Sequence, residues 1–340
     1  MTDLTKNIVL ALQNKPSTQF AAEDVNKAAV NGIMEACGLT DTSSPREFRL
    51  VQDKAFALIE EAIDEVLPAK IESIVGEFAE VRQFDRNAEV VFDIEKVGQN
   101  RAKLTIAKGA RAGIYRAAKL SNRWFSPAVT TWTAAVYVTL EDLILGTQTL
   151  GDLFNNIVEG FSESIFKEIY NALATGVPVT GYERISAGTS VTTTKDQLSN
   201  AIDKVLPYVK AYGMATIFGS YATLNNIYNP LAAASGYPNI DDSRDVREYG
   251  RVMVYKGVRC VELPNYLVDT TNSEWFYDQS YVFVIPSNAK PVKVALKGET
   301  YIQKNEQAVG SEKWEAHKLV GVGVAMANNY AVIQVTDLAD

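Results

Sequence analysis

Groups able to do chemistry are sparse in this 340-residue chain, and their spacing argues against most reactions. There is one histidine, His317, so a triad or metal site needing several imidazoles is excluded. It stands in an alternating C-terminal stretch, where a structural role is expected rather than proton transfer. Cys37 and Cys260 are too few and too distant in sequence for a disulfide framework or a thiolate site, and they suit a reducing compartment. No G-x-x-x-x-G-K-S/T and no G-x-S-x-G occurs, and Gly321-Val-Gly323 lacks the third glycine and following helix of a dinucleotide turn. Carboxylates are many, but none is paired in an apolar setting that the sequence can show. The expectation is a protein that is not an enzyme, with no catalytic residue, cofactor or metal.

What remains is charge, and its distribution says more than its sum of −8. Residues 1–80 carry 7 Lys/Arg against 14 Asp/Glu, residues 81–130 carry 10 against 4, and residues 131–340 carry 16 against 23. A basic island thus lies between two acidic blocks. Nucleic acid is the first partner such an island suggests. The acidic whole, the few aromatics and the missing DNA-binding signatures favour the acidic surface of another copy instead. Hydrophobic content of 47% is that of a globular protein with a sizeable core. The first residues show no charged-then-apolar leader and no apolar run approaches a membrane span, so cytoplasm-like solvent is expected.

The elements that must position these charges begin with helices. Ala21–Cys37 has a helical apolar face, and Ser44-Pro45-Arg46-Glu47 is a strong helix start, with Phe48, Val51, Ala55, Leu58, Ala62 and Val66 inward. This second helix is expected to end before Pro68, and its acidic run Glu60, Glu61, Asp64 and Glu65 is either a solvated face or a contact. So long an arm needs a surface to lie on, its own body's or a neighbour's. Residues 88–107 alternate as a β-hairpin around Gly98-Gln99-Asn100, followed by a basic stretch that includes Lys108 and Arg111. A two-stranded ribbon of this kind is marginal alone. A strand at Ala128–Leu140 then leads to the stretch the chain is organised around, Thr149–Thr175. There Leu150, Leu153, Phe154, Ile157, Phe161, Ile165, Ile169 and Leu173 recur at helical spacing over about 40 Å, until Gly176 and Pro178 end it.

A Ser/Thr/Gly-rich linker, Gly181–Thr194, opens a second block: a helix at Lys195–Tyr212, a strand at Met214–Phe218, and a Ser220-capped helix to Asn229. The polar loop Ala234–Gly250 is long enough to be functional. Strands follow at Val252–Tyr255, Gly257–Val261 and Tyr281–Ile285. Lys313–Met326 and Tyr330–Thr336 read as a terminal strand pair, packed most simply on Ala128–Leu140 and the long helix.

This order of parts resembles the major capsid protein of tailed bacteriophages, the Hong Kong 97-like fold of α+β class. SPREFRLVQDKAFALIEEAIDEVLP, VVFDIEKVGQNRAKLTI, TLGDLFNNIVEGFSESIFKEIYNAL and EKWEAHKLVGVGVAMANNYAVIQV carry the resemblance, which spans nearly the whole chain without one diagnostic motif. It implies an N-terminal arm (1–83), an extended E-loop (84–125), a P-domain (126–180 and 286–340) with residues 149–175 as its spine helix, and an A-domain (181–285). It also implies a virion shell of hexamers and pentamers around packaged double-stranded DNA, assembled in the host bacterial cytoplasm without a membrane. A separate scaffolding protein, a portal and decoration proteins would be partners. An encapsulin-type compartment shell and an α/β enzyme are the alternatives.

Family geometry lays the E-loop across a neighbour's P-domain, so the expected inter-subunit residues are Arg101, Lys103, Lys108 and Arg111 against Asp152, Glu159 and Glu163 of the spine. Asp241, Asp242, Arg244 and Arg247 would meet near a capsomer axis. The family's Lys–Asn self-crosslink would need Lys103 or Lys108 with Asn328 or Asn329, and nothing matches these residue by residue.

Overall fold

The computed structural model describes residues 45–94, 123–138, 150–176, 182–186, 191–227, 252–271, 273–286, 290–308, 311–325 and 330–336. Two long helices carry the core. Helix α1 (Pro45–Val75) begins on its proline, as the Ser-Pro start predicts, but it does not end before Pro68. It runs on because Ile71 and Val75 lie in the same buried cluster as Phe56, Ile59, Ile63 and Leu67, so the turns beyond the proline repay its missing N–H with apolar burial. Helix α1 therefore lies on the body of its own chain, along α2 (Leu150–Thr175). In α2, Phe154, Ile157, Phe161, Ile165, Ile169 and Leu173 are buried as the periodicity predicts, with Val158, Phe166 and Tyr170 widening the stripe.

Both helices cover one face of a four-stranded sheet whose order is β1 (Ala79–Phe84), β10 (Val292–Ala308), β11 (Ser311–Val324), β4 (Val129–Val138). Strand β1 runs parallel to β10, while β10, β11 and β4 are mutually antiparallel. Alternation along β10 sends Val292, Val294 and Leu296 to the helices, and Ala295 to the opposite face. Strands β1 and β10 are not expected from the sequence. In β10 a bulge between Lys297 and Tyr301, with Gly298 at φ +68, interrupts the alternating pattern.

The second sheet has six strands in the order β5 (Tyr182–Ser186), β12 (Ala331–Thr336), β9 (Tyr281–Pro286), β6 (Ala215–Gly219), β8 (Val258–Glu262), β7 (Val254–Tyr255). It separates α2 from α3 (Val191–Lys210). Phe218, Phe283, Ile285 and Val332 join the α2 cluster. Their neighbours Ile217, Val282, Val284 and Ile333 join Leu198, Ile202 and Val205 of α3. Two sequence expectations are corrected here. The stretch read as a linker holds β5, paired in parallel with β12 and buried at Ile185. And β11 and β12 are not a strand pair but lie in different sheets; β11 does pair with β4, as expected. The Ser220-capped helix α4 is short (Tyr221–Asn225), with the Ser220 hydroxyl accepting from Thr223 N at 3.3 Å.

On the sheet face turned away from the helices, β2 (Phe92–Ile94) pairs antiparallel with β3 (Arg123–Phe125), while the 104–106 stretch expected as the return of the hairpin lies outside the described residues. Val90 and Phe92 bury against Ala295. The expected turn at 98–100, the helix at Ala21–Cys37 and the loop Ala234–Gly250 lie outside the described residues.

Candidate functional site

The acidic run of α1 is a contact rather than a solvated face for two of its four members. Ile302 N donates to Glu60 Oε1 at 2.6 Å, and Thr300 N donates to Asp64 Oδ2 at 3.0 Å. These amides are aimed at the helix by the bulge that opens at Gly298. Lys318 of β11, buried, donates to Asp64 Oδ1 at 2.5 Å and to the Gly298 carbonyl at 2.7 Å. Burial pushes the Glu60 carboxyl up, the Ile302 amide opposes it, and Asp64 and Glu299 add to the rise. Glu61 and Glu65 face solvent. A second charged contact, Lys293 to Glu80 with Arg82 beside it, ties β1 to β10. No helical or strand periodicity could have revealed either set, because the bonds that tie Glu60 and Asp64 to β10 and β11, and Glu80 to Lys293, each span more than 200 residues.

Of the expected assembly residues, Glu159 and Glu163 are in view, four residues apart and both exposed on α2. Glu159 Oε1 is 3.8 Å from Lys70 Nζ, a loose pair within the chain. Glu163 takes a hydrogen bond from Tyr266, whose hydroxyl is pushed up by burial and by this carboxylate. Asp152 lies in the first turn of α2. Arg101, Lys103, Lys108, Arg111, Asp241, Asp242, Arg244 and Arg247 lie outside the described residues, as do Asn328 and Asn329.

Tyr266 belongs to a tongue, residues 263–280, that the sequence reading did not single out. Val268 N donates to Glu274 O at 2.8 Å and Phe276 N to Tyr266 O at 2.9 Å, giving a short antiparallel pairing. At its tip the Asp269 carboxylate accepts from the Thr271 hydroxyl, and from Glu274 N and Ser273 N, both at 2.9 Å; these bonds, the Thr271 one first, hold it well below the usual carboxylate range. The tongue is fastened to α2 by rings: Phe276 stacks on Tyr266 at 4.8 Å and on Phe166 at 6.3 Å, and Tyr277 lies 4.2 Å from Tyr170.

His317 pairs across strands with Thr133, its Nδ1 2.9 Å from the hydroxyl oxygen, with Glu315 3.9 Å from Nε2. No group of three or more metal-ligating side chains forms among the described residues, and no described helix is long and apolar enough to cross a membrane.

Residues 3–334 match the model of a family described as "SPbeta prophage-derived putative capsid protein YonB". The chain belongs to this family. The fold of this capsid protein agrees with that of a chain from Gordonia phage Cozz, at TM-score 0.50 and 9% identity over 79% of this chain and 87% of that one. A chain from the asymmetric unit of the bacteriophage PhiM1 mature capsid aligns at TM-score 0.49 and 12% identity, covering 77% and 87%. One from the satellite phage P4 procapsid including size determination (Sid) protein aligns at 0.49 and 10%, covering 81% and 92%. No curated protein matches the chain. As a phage capsid protein of mixed helix and sheet, it is a structural component of a virion.

Proposed function

We propose that this capsid protein is the major shell subunit of a tailed phage, built on the Hong Kong 97-like plan. Many copies close into an icosahedral shell around packaged double-stranded DNA, with the help of a separate scaffolding protein and a portal. The family match over residues 3–334 carries this reading, since it takes in nearly every element described. In it α2 is the spine helix, residues 1–83 the N-terminal arm and 84–125 the E-loop. Residues 126–180 and 286–340 form the P-domain and 181–285 the A-domain. Because β12 is hydrogen-bonded to both β5 and β9, the P- and A-domains would share the six-stranded sheet as a continuous wall.

The basic segment with Arg101, Lys103, Lys108 and Arg111 reaches a neighbour's spine carboxylates, Glu159, Glu163 and Asp152. The loop with Asp241, Asp242, Arg244 and Arg247 meets copies of itself about a capsomer axis. One exposed pair contributes only about 0.2–1 kcal/mol, but repetition over a closed shell sets its register. Electron microscopy of the purified protein tests the shell itself, and DNA inside native particles separates it from a cargo compartment. Lys103→Glu with Lys108→Glu should block or slow assembly at low salt while leaving the subunit folded. Adding Glu159→Lys and Glu163→Lys should restore part of it. Normal assembly kinetics in the double Glu variant would remove the pairing.

A further inference from the structure

We infer that Lys318 and Asp64 react with each other to form an isopeptide bond, tying helix α1 covalently to strand β11 within one chain. The inference stands on the single subunit and needs no closed shell. It uses none of the residues considered above for a link between subunits.

Nucleophile and electrophile are already side by side. Lys318 Nζ is 2.5 Å from Asp64 Oδ1, and the lysine side chain is only 3% exposed. The Gly298 carbonyl accepts from the same nitrogen at 2.7 Å and fixes where it sits. Along α1, Asp64 lies between Ile63 and Leu67, both wholly buried, and Ile302 joins the same cluster. Lys318 stands opposite Trp132 in the β11–β4 register, and Trp132 packs on that cluster too. An ion pair in such surroundings can discharge by moving one proton from the ammonium to the carboxylate, because burial penalises the two charges. The products of that transfer are a free amine and a carboxylic acid, the two groups an amide is made from.

The carboxyl is also held as an acyl group under attack must be. Thr300 N donates to Asp64 Oδ2 at 3.0 Å and to Oδ1 at 3.1 Å, and the Thr300 hydroxyl donates to Oδ1. Fixed donors of this kind stabilise the negative charge that builds on oxygen when the carbon is attacked. Glu60 stands one helical turn before Asp64 on the same side of α1, and Ile302 N holds its carboxyl at 2.6 Å. Burial raises that carboxyl, which suits it to take up a proton and return it.

In the reaction the Lys318 amine attacks Asp64 Cγ. The N–C bond forms while the carbonyl electron pair moves to the oxygen held by Thr300. Glu60 takes a proton from the nitrogen and returns it to the departing hydroxyl. The Cγ–O bond breaks, one water leaves and an amide remains, with nothing oxidised or reduced. Holding both groups in place replaces chemical activation, since effective concentrations of well-oriented pairs reach about 10⁵–10⁸ M. The bond joins positions 254 residues apart, so α1 stays on β11 even when its other contacts open.

Mass spectrometry of the purified full chain, unfolded in acid, tests this. A mass one water below that of the sequence is expected, with a branched peptide joining the Asp64 and Lys318 fragments after digestion. Lys318→Arg keeps the charge and should restore the full sequence mass. Asp64→Asn should give the same branched peptide by releasing ammonia in place of water. Glu60→Gln should slow appearance of the bond after refolding about a hundredfold. The parent chain at its full sequence mass, or a water loss that persists in Lys318→Arg, would overturn the inference. An unchanged rate in Glu60→Gln would overturn the role given to Glu60.

Discussion

The side-chain amide of Gln83 donates to the backbone carbonyl of Asp64 at 2.7 Å, and that carbonyl is the one Pro68 leaves without a helical partner. A strand residue thereby closes the gap in a helix ladder, and α1 continues for seven residues past its proline to Val75. Gln83→Leu should cost about 1 kcal/mol in urea unfolding of the free subunit, the usual net worth of such a bond. In a Pro68→Ala background, where residue 68 has its own N–H, the same change should cost clearly less. Equal costs in the two backgrounds would show that Gln83 does not serve the proline gap.

Asp64 and Lys318 should respond asymmetrically to removal. Without Asp64, the Lys318 ammonium, 3% exposed at its side chain, keeps only the Gly298 carbonyl as a described partner. Asp64→Ala should therefore cost about 3–5 kcal/mol, the range for a buried charge left unpaired. Lys318→Met should cost less, because Asp64 keeps the Thr300 amide and hydroxyl. Denaturant unfolding of the two single variants decides the order.

The same contacts explain where the sequence was readable. Helix α2 and strand β4 could be read directly, because Phe154 to Leu173 recur at one helical face and Trp132 and Ala134 share one strand face toward the core. The helix start at Pro45 was legible for the same local reason. The end at Pro68 was not, because the repair comes from Gln83 on another element. Strand β10 was hidden by the Gly298 bulge, which breaks its alternation after Lys297. Separation of β11 from β12 was equally out of reach, since strand partners are chosen by distant segments and not by the short link between them. On α2 the sequence pointed to Glu159 and Glu163, which are exposed, but the equally exposed Trp275 and Tyr266 look like ordinary core aromatics in a linear sequence.

Gly298 sits at φ +68, and a Cβ there would come within 3.3 Å of the Arg86 Cβ. Gly298→Ala should cost about 1–2 kcal/mol from the left-handed backbone alone, with the Arg86 contact adding to it. Because this bulge aims Thr300 N at Asp64, the loss should be accompanied by faster exchange of the Thr300 and Ile302 amides. Unchanged protection of both amides would separate the bulge from the anchorage of α1.

The Glu80–Lys293 contact gives the protein a defined acid limit. Burial alone would raise the Glu80 carboxyl, but Lys293 and Arg82 outweigh it and hold the group below its usual 4.5. A carboxylate with a depressed folded-state value stabilises fully above its unfolded value, and that contribution disappears as pH falls through the folded value. At pH 7 Glu80→Gln leaves the buried Lys293 without its carboxylate and should cost about 3 kcal/mol. The gap between parent and variant should stay level down to about pH 5 and then close below 4.5. Glu60 works in the opposite direction, since its folded-state value is raised. Between 4.5 and that raised value the folded chain takes up the proton first, so acidification gains stability there, and Glu60→Gln should remove that gain. Urea unfolding of the free subunit at pH 7, 5, 4 and 3 reads both effects. If the Glu80→Gln gap remains constant to pH 3, the pairing with Lys293 is not what lowers the Glu80 carboxyl.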